Sequence, residues 1–202
     1  MTAREDAPAA EPVCEPRTLA LLYSPADWFD PGWWPVFDVA PTLPRAVSNR
    51  LLLARSGLAW RDLAALAEPG VRRLMRDWQD LSLLSYLCGA RLMRDEILRR
   101  NALAQLRYGA AVFLALPWGG AAPDTALSPE TDIQACIQAQ GGRCVQSAYA
   151  PLPADWTRRL RFLLPPEAGI DEAAAPRIDP VQRAASRRLL SHARDFLLVH
   201  PC

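Results

Sequence analysis

The chain contains no lysine; all 23 of its basic residues are arginine. That absence removes two chemistries at once. A phosphate-cradling GxxxxGK[ST] loop requires its lysine, and a Schiff-base enzyme requires an amine nucleophile. Histidine is almost as scarce. His192 and His200 are the only two, both within the last eleven of 202 residues and in no recognisable motif. A Ser–His or Cys–His nucleophile pair therefore has no base in the body of the chain. His192 falls between the apolar and polar faces of its predicted helix and reads as a boundary residue. The five cysteines, Cys14, Cys88, Cys136, Cys144 and Cys202, are irregularly spaced. No CxxC unit or tight Cys/His cluster exists to hold zinc, so these read as reduced thiols. Long hydrophobic runs are missing too. No stretch reaches the ~18 apolar residues of a membrane span, and GAAVFLALPWGGAA is interrupted by Pro117 and Gly119-Gly120. The opening MTAREDAPAAEP is polar and acidic, so no secretory leader is expected there. GxGxxG is absent.

Charge excludes a further class. The 23 basic and 22 acidic residues leave a net charge of +1, so no global field draws the chain toward nucleic acid. The pairs Arg72-Arg73, Arg99-Arg100, Arg158-Arg159 and Arg187-Arg188 are scattered among acids, with no aromatic stripe between them. Complete exclusion of lysine, beside so much alanine and proline, reads as the coding bias of a GC-rich genome. The acids form no catalytic pair. Asp95 and Glu96 are adjacent and would point about 100° apart on a helix, while Asp171-Glu172 falls in a linker. Residue chemistry points toward a helical interaction protein.

What is present is apolar residue in quantity: half the chain, enough for one well-cored domain. Residues 1–17 carry little apolar weight and are expected to be a disordered tail. Residues 18–202 are expected to form a single helical domain, with a proline-rich linker at 165–178 before the last helix. Leu19–Tyr23 suits a strand or one helical turn. Helices are expected on both sides of Gly57, after Pro69, through 81–98, and through Tyr108 and Phe113. Ser128-Pro129-Glu130 and Asp179-Pro180 each combine a capping side chain with proline at the first helical position. Gly141-Gly142 is expected to stop the helix that Ser128 begins. Residues 154–164 place Trp156, Leu160, Leu163 and Leu164 on one stripe, although 160–165 suits a strand equally. The last helix carries Ala185, Leu189, Ala193, Phe196 and Leu197 on its apolar side. Leu84 and Leu87, in the most apolar helix, are expected in the core with Trp156, Leu160, Leu189 and Phe196. The fold class is mainly α: a compact multi-helix domain with an extended Trp/Pro-rich N-terminal strap and room for one or two short strands.

The strap is SPADWFDPGWWP, residues 24–35, in which three prolines divide Trp28, Phe29, Trp33 and Trp34. Pro35 disfavours helical backbone at Trp34. On an extended backbone Trp33 and Trp34 would face opposite sides, one inward and one outward.

LLYSPADWFDPGWWP resembles the N-terminal motif of the SctK/YscK family of type III secretion systems: Pro25-Ala26, an aromatic at Trp28, and Trp34-Pro35 closing it. Asp30 stands where several members carry histidine. LLSYLCGARLMRDEILRR resembles that family's leucine-rich helix ending in an arginine pair, and LPADWTRRLRFLLP resembles its Trp, Arg-Leu, Leu-Pro segment. The resemblance implies a largely helical, non-catalytic adaptor of the injectisome sorting platform, without cofactor or metal. Its implied partners are the cytoplasmic forkhead-associated domain of the inner-ring protein SctD and the pod protein SctQ, with SctL and the ATPase SctN further in. Neither nucleic acid nor direct membrane insertion is implied, and the implied location is cytoplasmic, at the inner-membrane base. The matched positions put Trp28 and Trp34 in the core. Trp33 then faces outward to meet a partner, with Asp30 beside it to accept a hydrogen bond. Two rival classes remain: a helical enzyme of an unrecognised family acting on a small molecule, which a deep polar pocket would favour, and a secretion chaperone, which neither charge nor periodicity fits.

Overall fold

A computed structural model describes residues 16–58, 63–107, 109–120, 131–170 and 179–200. Among the described residues there are helices and turns and no strand. The α-helices run in order α1 (Pro16–Tyr23), α2 (Trp33–Val36), α3 (Arg45–Ser56), α4 (Pro69–Asp77), α5 (Leu81–Leu92), α6 (Arg94–Arg99), α7 (Ala110–Ala115), α8 (Ile133–Tyr149), α9 (Ala154–Leu163) and α10 (Pro180–Val199). The expected tail lies outside the described residues up to 15, but Pro16 and Arg17 open α1, so the helical body begins earlier than expected. The Ser128-Pro129 start and residues 171–178 of the linker also lie outside them.

Local chemistry explains several boundaries. α3 ends at Gly57, whose φ of 65° is the left-handed conformation that suits glycine. Pro69 opens α4 and Pro180 opens α10, positions where proline's missing N–H costs nothing. Asp179 caps α10 by accepting the Val181 N–H at 3.0 Å. Asp132 does the same for α8, accepting from Gln134 at 2.9 Å. Residues 160–163 are helical, and the chain turns extended only at Leu164.

α5 is the central element, and Leu81 and every residue from Leu84 to Arg91 are buried. α8 crosses it at backbone contact. A Cβ added at Gly89 would lie 1.9 Å from the Ile137 carbonyl oxygen, and one added at Gly141 would lie 2.1 Å from that of Ser85. Gly142 is similarly close, 2.5 Å, to the carbonyl of Ala168 in the turn after α9. The expected stop at Gly141-Gly142 is thus overturned: α8 runs on to Tyr149. Glycine costs helix propensity, but here it lets two neighbours approach where no side chain fits, and the packing gained outweighs that cost. α10 lies across this pair with Leu189, Leu190, Ala193 and Phe196 buried; Ser186 turns inward where Ala185 was expected.

Candidate interaction surface

The aromatic strap was the first candidate, and it is not extended. Pro25–Asp27 forms a 3-10 turn and Trp33–Val36 one short turn of α-helix. Pro35 sits inside that first turn, where no backbone N–H is required of it. Neighbouring side chains there diverge by about 100°, so the alternation expected of Trp33 and Trp34 does not apply. Trp33 is the buried one, at 7% exposure, and Trp34 is only partly buried. Trp33 Nε1–H donates to the carbonyl of Leu164 at 2.7 Å, an acceptor left free where α9 ends. Its ring meets Phe162 edge-on, with Arg161 over its face. Trp33 is therefore a clamp on α9, and its outward, partner-facing placement is corrected. Asp30 is engaged as well. It accepts the Gly32 N–H at 2.9 Å while its own N–H donates to the Phe162 carbonyl. Burial holds its carboxyl above the usual range, against the lowering effect of that hydrogen bond, and Glu167 adds to the rise. The strap packs Ala26, Phe29 and Trp33 against Leu52 of α3 and Phe162 of α9, a second core beside the main one. Trp28 is partly buried between the two cores, edge-on to Trp78 at 5.3 Å.

The other expected core residues, Leu84, Leu87, Trp156, Leu160, Leu189 and Phe196, all lie in the main core. Its charges have internal roles. Arg91, only 4% exposed, donates to the carbonyls of Phe113, Leu114 and Leu116 and so closes the C-terminal end of α7. Arg159 reaches the Leu21 carbonyl of α1, Arg158 the Gly57 carbonyl after α3, and Arg187 the carbonyls of Ala148 and Ala150 at the C-terminal end of α8. Cations at helix C-termini complement the partial negative charge there. Glu96, buried, pairs with Arg99 of its own helix and with Arg100, which follows it, and Arg100 goes on to the Thr131 carbonyl at 2.7 Å. Asp77, also buried, is held by Tyr149 and Arg194. Burial, then the hydrogen bond to Asp77, pushes the Tyr149 phenol well above its ordinary range. No group of three metal-ligating side chains occurs among the described residues. Cys88 and Cys144 lie buried against one another at the α5–α8 crossing.

His192 lies between Phe113 and Trp118, with ring centroids 5.1 Å from each. Desolvation lowers its pKa, Arg91 lowers it further, and Asp195 opposes them. The fold thus favours the neutral imidazole. Below the unfolded value of about 6.5 the unfolded chain takes up a proton that the native site resists, so this contribution is present above pH ~6.5 and lost as pH falls. The melting temperature is expected to fall between pH 7 and pH 5 in the wild type, and by a smaller amount in His192→Gln. Parallel curves in a calorimetric pH series would refute the assignment.

Two clefts open on one face and meet at Arg76. The first, of about 530 Å³, is walled by α1, the strap and α4, with Leu21, Trp28, Met75 and Trp78 among its residues. The second, of about 570 Å³, lies between the α4–α5 junction and the end of α10, with Leu83, Leu197 and Leu198. Leu198 is 78% exposed. The indole N–H groups of Trp28 and Trp78 are buried without an acceptor. Arg72 and Arg73 are exposed and form no ion pair among the described residues, and Arg76 makes a 3.6 Å contact to Asp77. Sequence reasoning passed over this face by treating the arginine pairs as uniformly scattered. A signal existed in PGVRRLMRD: its period turns Val71, Leu74 and Asp77 inward together, so its one acid leaves the surface and its three arginines remain.

Among the described residues no helix is long and apolar enough to cross a membrane. Residues 18–196 match the family model described as bacterial type III secretion apparatus protein (OrgA_MxiK). No curated protein and no solved structure matches the chain.

Proposed function

The chain belongs to the OrgA_MxiK family of bacterial type III secretion apparatus proteins, and from that membership we propose that it is a non-catalytic adaptor of the secretion sorting platform. It would sit in the cytoplasm at the base of the inner-membrane ring. One surface would hold the cytoplasmic forkhead-associated domain of SctD and another the SctQ pod, leaving SctL and the SctN ATPase as indirect neighbours. The observation that carries this reading is the fate of the buried charges. Asp77, Arg91 and Arg159 each engage a neighbouring helix or helix end, and Glu96 engages the arginines at the end of its own helix. Asp77 and Arg91 border clefts but are committed to these contacts rather than offered to a substrate, as general acid–base or nucleophilic catalysis would need. Exposed apolar side chains such as Val181, Leu198 and Val199 suit broad protein contacts.

The test is complex formation between purified full-length chain and each of two proteins from the same bacterium, the SctD cytoplasmic domain and SctQ. Size-exclusion chromatography with light scattering is expected to show a complex with each and a ternary complex with both. Failure to bind either would overturn the adaptor reading.

A further inference from the structure

We infer that the two clefts joined at Arg76 form one docking groove for an acidic amphipathic segment, which places apolar side chains in both lobes and its carboxylates on Arg72 and Arg76. The inference rests on the adaptor reading for its source, an apparatus protein; the chemistry comes from the groove. Each lobe has apolar walls: Leu21, Trp28 and Met75 in one, Leu83, Leu197 and Leu198 in the other. Arg76 borders both, and its side chain is 66% exposed. An occupant long enough to fill both lobes must pass this guanidinium.

Charge decides the sign of the occupant. Of the groove's acids, Asp27 is bound by Arg45 and Asp77 is buried against Tyr149 and Arg194. Arg72 makes no ion pair among the described residues, Arg76 has only the 3.6 Å contact to an Asp77 that Arg194 already holds, and Asp80 is the one acid of the lining outside these pairs. A basic segment would meet like charge at Arg72 and Arg76, whereas an acidic one finds guanidinium partners there.

The test uses the full chain and two fluorescein-labelled synthetic peptides: an amphipathic repeat of leucine and glutamate, and the same repeat with lysine in place of glutamate. Fluorescence anisotropy is expected to show saturable binding of the glutamate peptide, weakened by rising salt, and none of the lysine peptide. Arg72→Glu with Arg76→Glu should weaken binding about ten-fold or more. Leu198→Asp should weaken it as well, and Val112→Asp, on exposed α7 surface, should leave it unchanged. No binding of the glutamate peptide, equal binding of both peptides, or wild-type affinity in the arginine variant would overturn the groove. A photoreactive leucine in the peptide tests the unmutated protein: crosslinks at Met75 or Leu198 support the groove, and crosslinks confined to other faces overturn it. These results stand apart from complex formation with SctD and SctQ, so either conclusion can fail alone.

Discussion

Gly89→Ala is expected to lower the thermal midpoint by roughly 10 °C or more, although alanine is the better helix former by about 1 kcal/mol. The added methyl would lie 1.9 Å from the Ile137 carbonyl oxygen and 2.9 Å from the Gly141 nitrogen. Both obstacles are backbone, and no rotamer change relieves them. α5 and α8 must separate by more than an ångström, which loosens the packing of Leu84, Leu87, Ile137 and Val145 between them. Overpacking a core costs about 1–3 kcal/mol where side chains can yield. Here the rigid backbone puts the expected loss at or above the top of that range. At about 2–4 °C per kcal/mol for a chain of this size, the shift is large against a total stability of about 5–15 kcal/mol. Gly141→Ala, with its methyl 2.1 Å from the Ser85 carbonyl, should behave alike. Gly119→Ala is the control, since nothing lies within 4 Å of its added methyl. Melting followed by circular dichroism decides it; a midpoint within two or so degrees of wild type for Gly89→Ala would show that the helices are not in backbone contact.

Asp77→Ala should be the most damaging single loss of charge. Asp77 ends α4 with its side chain 4% exposed, and it ties that helix to Tyr149 of α8 and Arg194 of α10. Removing one member of a buried pair strands the other and costs about 3–5 kcal/mol. The Arg194 side chain is 35% exposed, so water recovers part of its solvation, and about 3 kcal/mol is expected. Asp77→Asn keeps an acceptor for the Tyr149 hydroxyl and loses only the ion pair, so it should cost about half as much. Urea titration of Asp77→Ala, Arg194→Met and the double variant gives the coupling directly. A loss below about 1 kcal/mol for Asp77→Ala would mean that the three helices are held by apolar packing alone.

Much was legible because it is local. A proline after a capping aspartate starts α10, a glycine at positive φ ends α3, and apolar residues recurring with the helical period bring Leu160 and Leu189 inward. Each depends on residues within a turn or two of one another. The ordered motifs around Pro25-Ala26, Arg99-Arg100 and Trp156 already resembled a type III secretion family, and the chain belongs to one.

What sequence reasoning missed depends on residues far apart in the chain. Trp33 rather than Trp34 is buried because a carbonyl at Leu164, 131 positions away, needed a donor. Gly141 and Gly142 extend a helix rather than stop it because Ser85 and Ala168 approach from elsewhere. Composition showed an abundance of arginine, but an arginine cannot reveal from its neighbours that it closes another helix's end, as Arg91 closes α7. The two clefts that border Arg76 likewise exist only where α1, α4 and α10 come together. Helical pattern and family thus follow from short-range backbone preference and the order of motifs along the chain. Which glycine is a contact, which tryptophan a clamp and which arginine closes a helix end was decided by backbone groups that only tertiary packing brings within a hydrogen bond or a van der Waals radius.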